Sequence, residues 1–136
     1  MHMIKKLEKI ARQMHLLYVD DNRELCETYV SFFQDIFAHV AYANDGKEAL
    51  NLYRKNRYDL VITDINMPHM NGFTFIKQMK MINPEQAVIV VSAYSEIAYL
   101  SKINQCDITQ FLVKPVDTKE LIEKVYSVLE DLLVHE

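Results

Sequence analysis

Short apolar runs along this chain each stop on a charged or polar residue. Leu16-Leu17-Tyr18-Val19 runs into Asp20-Asp21, and Leu60-Val61-Ile62 runs through Thr63 into Asp64. The run 87–91, the most apolar of all, meets Ser92, and Phe111-Leu112-Val113 meets Lys114-Pro115. Runs of this length, apolar on both faces and bounded by Gly, Pro or Asn, predict buried strands over 15–19, 40–43, 59–63, 87–91 and 110–113. Between them the apolar spacing turns helical. After Asn22, a good helix-capping residue type, Leu25, Tyr29, Phe32, Phe33 and Ile36 fall on one stripe. Ala49, Leu50 and Tyr53 predict a helix over 47–56, following the turn Asn44-Asp45-Gly46. Phe73, Ile76 and Met79, with the stem of Lys80, predict another over 73–82 that ends at Asn83-Pro84. Ile97, Leu100 and Ile103 mark a weaker helix over 95–104. A last helix opens at Asp117 or Thr118 and carries a broad face of Leu121, Ile122, Val125, Val128, Leu129 and Leu132.

The first residues follow a pattern of their own. Ile4, Leu7, Ala11 and Met14 have a 3-4-3 spacing, one helical face too short for a coiled coil. Residues 1–14 are therefore expected to be a helical extension or linker, and 15–136 the domain proper. The extension either packs on the domain or is the tail of an upstream helix or a dimer contact.

Strand and helix alternate five times, which predicts an α/β doubly wound domain: a five-stranded parallel sheet flanked by five helices. Crossovers in such a sheet are right-handed, so every strand presents its C-terminal end on the same edge, where ligands bind. Asp20, Asp21, Asp64, Ser92 and Lys114 each follow a strand directly and are expected to meet in one site.

Composition narrows the setting. The chain has 136 residues, half of them hydrophobic and a quarter charged, as expected for one soluble globular domain. A formal net charge of −4 argues against nucleic acid or an anionic membrane as a direct partner. No apolar run approaches the ~20 residues that span a bilayer, and no signal peptide stands at the N-terminus. Cys26 and Cys106 lack metal-type spacing and read as reduced, partly buried thiols of a cytoplasmic protein.

Three crowded carboxylates repel one another and lose hydration unless a cation joins them. Oxygen ligands without Cys or His suit a hard ion, Mg²⁺ above others. A lysine adds a point charge and a serine a hydroxyl donor, each able to contact a phosphoryl oxygen. A carboxylate beside Mg²⁺ and Lys⁺ is a competent nucleophile towards phosphorus.

In that order along the chain, Asp20-Asp21, Asp64 within Thr63-Asp64-Ile65-Asn66-Met67-Pro68, Gly72, Ser92-Ala93, and Phe111 ahead of Lys114-Pro115 resemble a receiver domain of two-component response regulators. The chemotaxis response regulator belongs to that family, and the resemblance covers residues 16–133. It implies a flavodoxin-like strand order 2-1-3-4-5. It implies that Asp64 takes a phosphoryl group from a phosphohistidine on a histidine kinase or histidine phosphotransfer protein. Mg²⁺ would be held by the side chains of Asp21 and Asp64, the backbone carbonyl of Asn66, and Asp20 largely through water. Lys114 and Ser92 would hold the phosphate, and the Lys114-Pro115 bond would be cis. Ser92 and Phe111 would act as the switch, changing the face formed by the helix over 95–104, the fifth strand and the last helix, which is also a candidate homodimer surface. Such a protein promotes its own phosphorylation and dephosphorylation without being an enzyme in the ordinary sense.

Some positions depart from that family. Gln105-Cys106 stands where Gly-Ala is frequent, and Phe111 lacks the hydroxyl of the frequent Tyr, which eases an inward rotamer. Tyr94 and Asn66 flank the expected phosphate, whereas His69 has no assigned role. A hydrolase with an aspartyl nucleophile would need a second acid two residues after Asp20, where Asn22 stands. The alternative left is a receiver-like interaction module that is not phosphorylated. No DNA-binding or enzymatic output domain falls within these residues, as expected of a stand-alone receiver or a piece of a longer protein.

Overall fold

The computed structural model describes residues 2–93, 95–98 and 108–134. In order these are α1 (His2–Ala11), β1 (His15–Val19), α2 (Arg23–Gln34), β2 (His39–Ala43), α3 (Gly46–Lys55), β3 (Leu60–Thr63), α4 (Gly72–Ile82), β4 (Ala87–Ser92), β5 (Gln110–Val113) and α5 (Thr118–Val134), with a helical stretch at 95–98. The strands form one parallel sheet in the order β2-β1-β3-β4-β5, flanked by helices on both sides. The expected doubly wound, flavodoxin-like architecture is therefore the observed one.

Side chains alternate across a strand, so each strand feeds both faces of the sheet. Leu16, Tyr18, Leu60, Ile62, Ile89 and Leu112 point to one side, where α2 and α5 cover them. Leu17, Val19, Val61, Val88 and Val90 point to the other, under α3 and α4. This is why the strands are apolar at consecutive positions. α1 belongs to the first layer: Leu7 and Ala11 are fully buried there, and the helix lies along α5.

Capping follows the residue types. Asn22, Asp45 and Asn71 each accept a hydrogen bond from the backbone amide three residues on, at 3.1, 2.8 and 2.9 Å, starting α2, α3 and α4.

Two helix faces differ from the periodicity reading. In α2 the inward residues are Cys26, Tyr29, Val30 and Phe33, while Leu25 is exposed. In α4 Phe75 is fully buried beside Ile76 and Met79, and Phe73 is only partly covered, with Lys77 Nζ over its ring at 5.5 Å. The apolar stripe is wider than one helix line, and contact with the twisted sheet selects which of its edges goes in. Among the described residues no helix is long and apolar enough to cross a membrane. Leu100, Ile103, Gln105 and Cys106 lie outside the described residues, as does most of the helix expected over 95–104. Cys26 is a free, buried thiol whose pKa burial pushes up to about 11, which makes it a poor nucleophile at neutral pH.

Candidate functional site

Strand register builds the site. Val19 of β1 pairs with Thr63 of β3, so the next residues, Asp20 and Asp64, leave the sheet side by side. The amide of Asp64 donates to Val19 O at 3.0 Å and that of Asp20 to Ala43 O at 3.1 Å, so the ladder holds both backbones to its last rung. Thr63 pairs with Val90, which puts Ser92 one rung beyond Asp64. Ser92 in turn pairs with Val113, which puts Lys114 one rung further. Adjacent strands lie about 4.8 Å apart, so β5 stands about 10 Å from β3. The four-carbon stem of Lys114 crosses that gap, and its Nζ lies 2.7 Å from Asp64 Oδ2 and 3.5 Å from Asp20 Oδ2.

Asp64 is gripped on both oxygens. Its Oδ1 accepts from Ile65 N at 2.6 Å, Ser92 Oγ at 2.8 Å and, at the long limit, Asn66 N at 3.4 Å. Its Oδ2 takes the lysine. Behind it, the buried Thr63 hydroxyl donates to Asp64 O at 2.9 Å. The loop after β3 folds back closely enough that a Cβ on Gly72 would stand 2.0 Å from Asp64 O, while the Gly72 amide donates to Ile65 O at 2.7 Å. Only glycine permits that approach. On β1, Asp20 Oδ1 accepts from Asn22 N at 3.0 Å, and Asn44 Nδ2 donates to Asp20 O at 2.9 Å.

One carboxylate oxygen from each of Asp20, Asp21 and Asp64 lies within 4.8 Å of the other two. Asp20 and Asp64 are buried, at 3% and 5% exposure, and Asp21 is exposed. Burial lifts the Asp20 carboxyl above its ordinary range; the Asn22 amide and Lys114 oppose the rise, and the charges of Asp64 and Asp21 add to it. Burial alone would lower the Lys114 ammonium. The hydrogen bond and charge of Asp64, with the charge of Asp20, outweigh that and hold it above its usual value. Three acids facing one lysine leave negative charge uncompensated, and the all-oxygen donor set can coordinate a divalent metal. The open side is a cleft of about 460 Å³ lined by Asp21, Asn22, Asp64, Asn66, Ala93, Glu96 and Lys114.

Asp20, Asp21, Asp64, Ser92 and Lys114 thus converge on one edge of the sheet. Asn66 sits on the exposed loop after β3. The Lys114-Pro115 bond is cis. Phe111 is partly buried against the core on the α3–α4 side, whereas Leu112, the next residue of β5, is 2% exposed on the other face. Tyr94 lies outside the described residues. Residue-by-residue reading overlooked Glu96, whose carboxylate lies against the Ser92 hydroxyl oxygen and, at 3.1 Å, accepts from Ala93 N. A glutamate three residues after a helix-opening position is the available signal.

A family model described as the response regulator receiver domain matches residues 16–126. The transcriptional regulatory protein ZraR of Escherichia coli (strain K12) is 30% identical over 120 residues, covering 88% of this chain and 26% of ZraR. A response regulator receiver protein of Anaeromyxobacter sp. (strain Fw109-5) is 34% identical over 107 residues, 79% of this chain and 45% of that protein. The chain thus spans about a quarter to a half of these relatives. The N-terminal domain of an uncharacterized protein from Wolinella succinogenes superposes with a TM-score of 0.81 at 30% identity, over 90% of this chain and 99% of that one. The chain of the CheX-CheY-BeF3-Mg complex from Borrelia burgdorferi gives 0.76 at 28% identity, over 85% and 88%. With the parallel sheet in the order β2-β1-β3-β4-β5, the acidic triad at its C-terminal edge and a matched span of most of its length, this chain belongs to the response regulator receiver domains of two-component systems.

Proposed function

We propose that Asp64 is the phosphoacceptor of this receiver domain, with a histidine kinase or histidine phosphotransfer protein as donor. The observation that carries the reading is the seat of one carboxylate: Asp64, 5% exposed at the strand end, between the Lys114 ammonium at 2.7 Å and the Ser92 hydroxyl at 2.8 Å. An oxygen of Asp64 forms the new bond to phosphorus as the P–N bond of the phosphohistidine breaks, and the imidazole nitrogen keeps the electron pair and takes up a proton from solvent water. Lys114 and Ser92 then exchange the carboxylate for phosphoryl oxygens, offsetting the charge that develops on transfer. Asp20, Asp21 and Asp64, with the backbone carbonyl of Asn66, would hold Mg²⁺. When bound, that ion supplies charge neutralisation for the phosphoryl group. Ser92 and Phe111 form the switch. As Ser92 turns to the phosphoryl group, space opens beside the partly buried Phe111, and phosphorylation shifts the equilibrium only as far as it binds the rearranged state more tightly.

The test is intact mass after incubation with a small-molecule phosphodonor, with and without Mg²⁺, beside an Asp64→Asn control. The expected result is a Mg²⁺-dependent gain of one phosphoryl group in the wild type and none in the control. No gain in a wild type that still binds Mg²⁺ would overturn the reading in favour of an interaction module that is never phosphorylated.

A further inference from the structure

One group in the cleft has no part in the chemistry above. Glu96 stands in the helical stretch at 95–98 and turns its carboxylate back to the end of β4, onto the hydroxyl of Ser92 and the amide of Ala93. It lines the same cleft as Asp64 and Lys114, yet it is not among the three acids whose oxygens cluster within 4.8 Å. A serine hydroxyl has a single proton to give. Here its oxygen lies against two carboxylates, Asp64 and Glu96, so the hydroxyl is already engaged before any phosphoryl group arrives.

Resting on the phosphoacceptor reading of Asp64, we infer that Glu96 is a built-in brake on phosphorylation: it competes with the phosphoryl oxygens for the Ser92 hydroxyl and keeps a negative charge at the wall of the pocket that must receive them. A phosphoryl group on Asp64 brings anionic oxygens to the position Ser92 faces. To hold one of them Ser92 must give up its carboxylate partners, and the incoming charge meets that of Glu96 across the cleft. The same carboxylate caps the helical stretch by accepting from Ala93 N, while the amides of Glu96 and Ile97 donate to Ala93 O at 3.1 and 3.2 Å. Departure of Glu96 from Ser92 is thereby coupled to the first turn of that helix. Glu96 acts through Ser92 and through the field in the cleft, which makes it a positioning residue.

Glu96→Gln separates charge from shape, since its side-chain oxygen still accepts from Ala93 N and from Ser92. The measurement is beryllofluoride binding in excess Mg²⁺, followed by fluorine NMR, with Mg²⁺ affinity measured alone and thermal midpoints taken without ligand. Glu96→Gln is expected to bind beryllofluoride roughly three- to tenfold more tightly than wild type, for a like charge removed at close range in a partly wet site. Its Mg²⁺ affinity is expected to stay the same or fall and not to rise, because a negative charge leaves the cleft while every ligand of the triad is kept. Glu96→Ala, which also loses the cap, should keep the tighter binding and melt below Glu96→Gln. Unchanged or weaker beryllofluoride binding in Glu96→Gln, with Mg²⁺ binding intact, would overturn the inference and leave Glu96 a helix cap. A gain matched by an equal gain in Mg²⁺ affinity would overturn it as well. A wild type that binds Mg²⁺ but neither beryllofluoride nor a phosphoryl group would instead overturn the phosphoacceptor reading itself.

Discussion

The two edges of this sheet handle buried polarity in opposite ways. At the N-terminal edge, Gln86 is buried at 3% exposure and fully engaged: its Oε1 accepts from Tyr53 OH at 2.7 Å and its Nε2 donates to Ala87 O at 3.1 Å. Lys80 Nζ donates to Gln86 O at 2.6 Å, and Tyr53 stacks with Tyr58 at 6.3 Å. Both polar atoms of the Gln86 side chain have protein partners, although a cleft of about 580 Å³, larger than the one beside Asp64, opens beside it. At the C-terminal edge three acids face one lysine. The first arrangement contributes to stability, whereas the second is electrostatically incomplete and gains by binding. Cleft size alone would select the wrong edge.

Three substitutions test that contrast, in order of expected effect. Lys114→Ala removes the only cation paired with Asp64 among the described residues. Phosphoryl uptake measured by intact mass should slow by about 10²-fold or more, the scale for loss of one preorganised electrostatic group. Gln86→Ala should spare phosphorylation and lower folding stability by about 2 kcal/mol in urea denaturation, since the Tyr53 hydroxyl loses its buried acceptor. A Gln86→Ala variant with wild-type stability and reduced phosphorylation would reverse the division of labour between the edges.

Asp20→Asn should do the converse. It relieves repulsion in the triad, keeps an acceptor for Asn22 N, and should stabilise the metal-free protein at neutral pH by about 1 kcal/mol while weakening Mg²⁺ binding. The sign follows from linkage. The Asp20 carboxyl is raised in the folded state, so as pH falls from neutral the folded protein binds that proton before the unfolded chain does. Its contribution to metal-free stability therefore rises through the window between the folded and unfolded values. Lys114 is raised too, but as a cation: its contribution is complete below its ordinary value and lost as pH rises through the folded one. Chemical denaturation of the two proteins from pH 4 to 7 should show the wild type gaining on Asp20→Asn as pH falls.

The fold was legible because its signals are local. Consecutive apolar residues mark strands buried on both faces, and strands joined through crossover helices run parallel, so all their C-terminal ends leave on one edge. The convergence of Asp20, Asp21, Asp64, Ser92 and Lys114 follows from those two facts. Helix faces were harder to read. Leu25 and Cys26, or Phe73 and Phe75, are neighbours on a wide stripe, and only contact with the sheet decides which one is buried.

The sequence by itself determined the parallel sheet, its functional edge and the residue types delivered there, because strand periodicity and chain order suffice for each. Only the tertiary structure decided the rest. Register offsets place Ser92 one rung and Lys114 two rungs beyond Asp64, so the lysine must reach back across β4. Packing against α5 made α1 part of the core, with Leu7 and Ala11 fully buried. The turn of a single side chain brought Glu96 onto Ser92. These depend on distances between segments far apart in the chain or on one rotamer, which no spacing of residue types encodes.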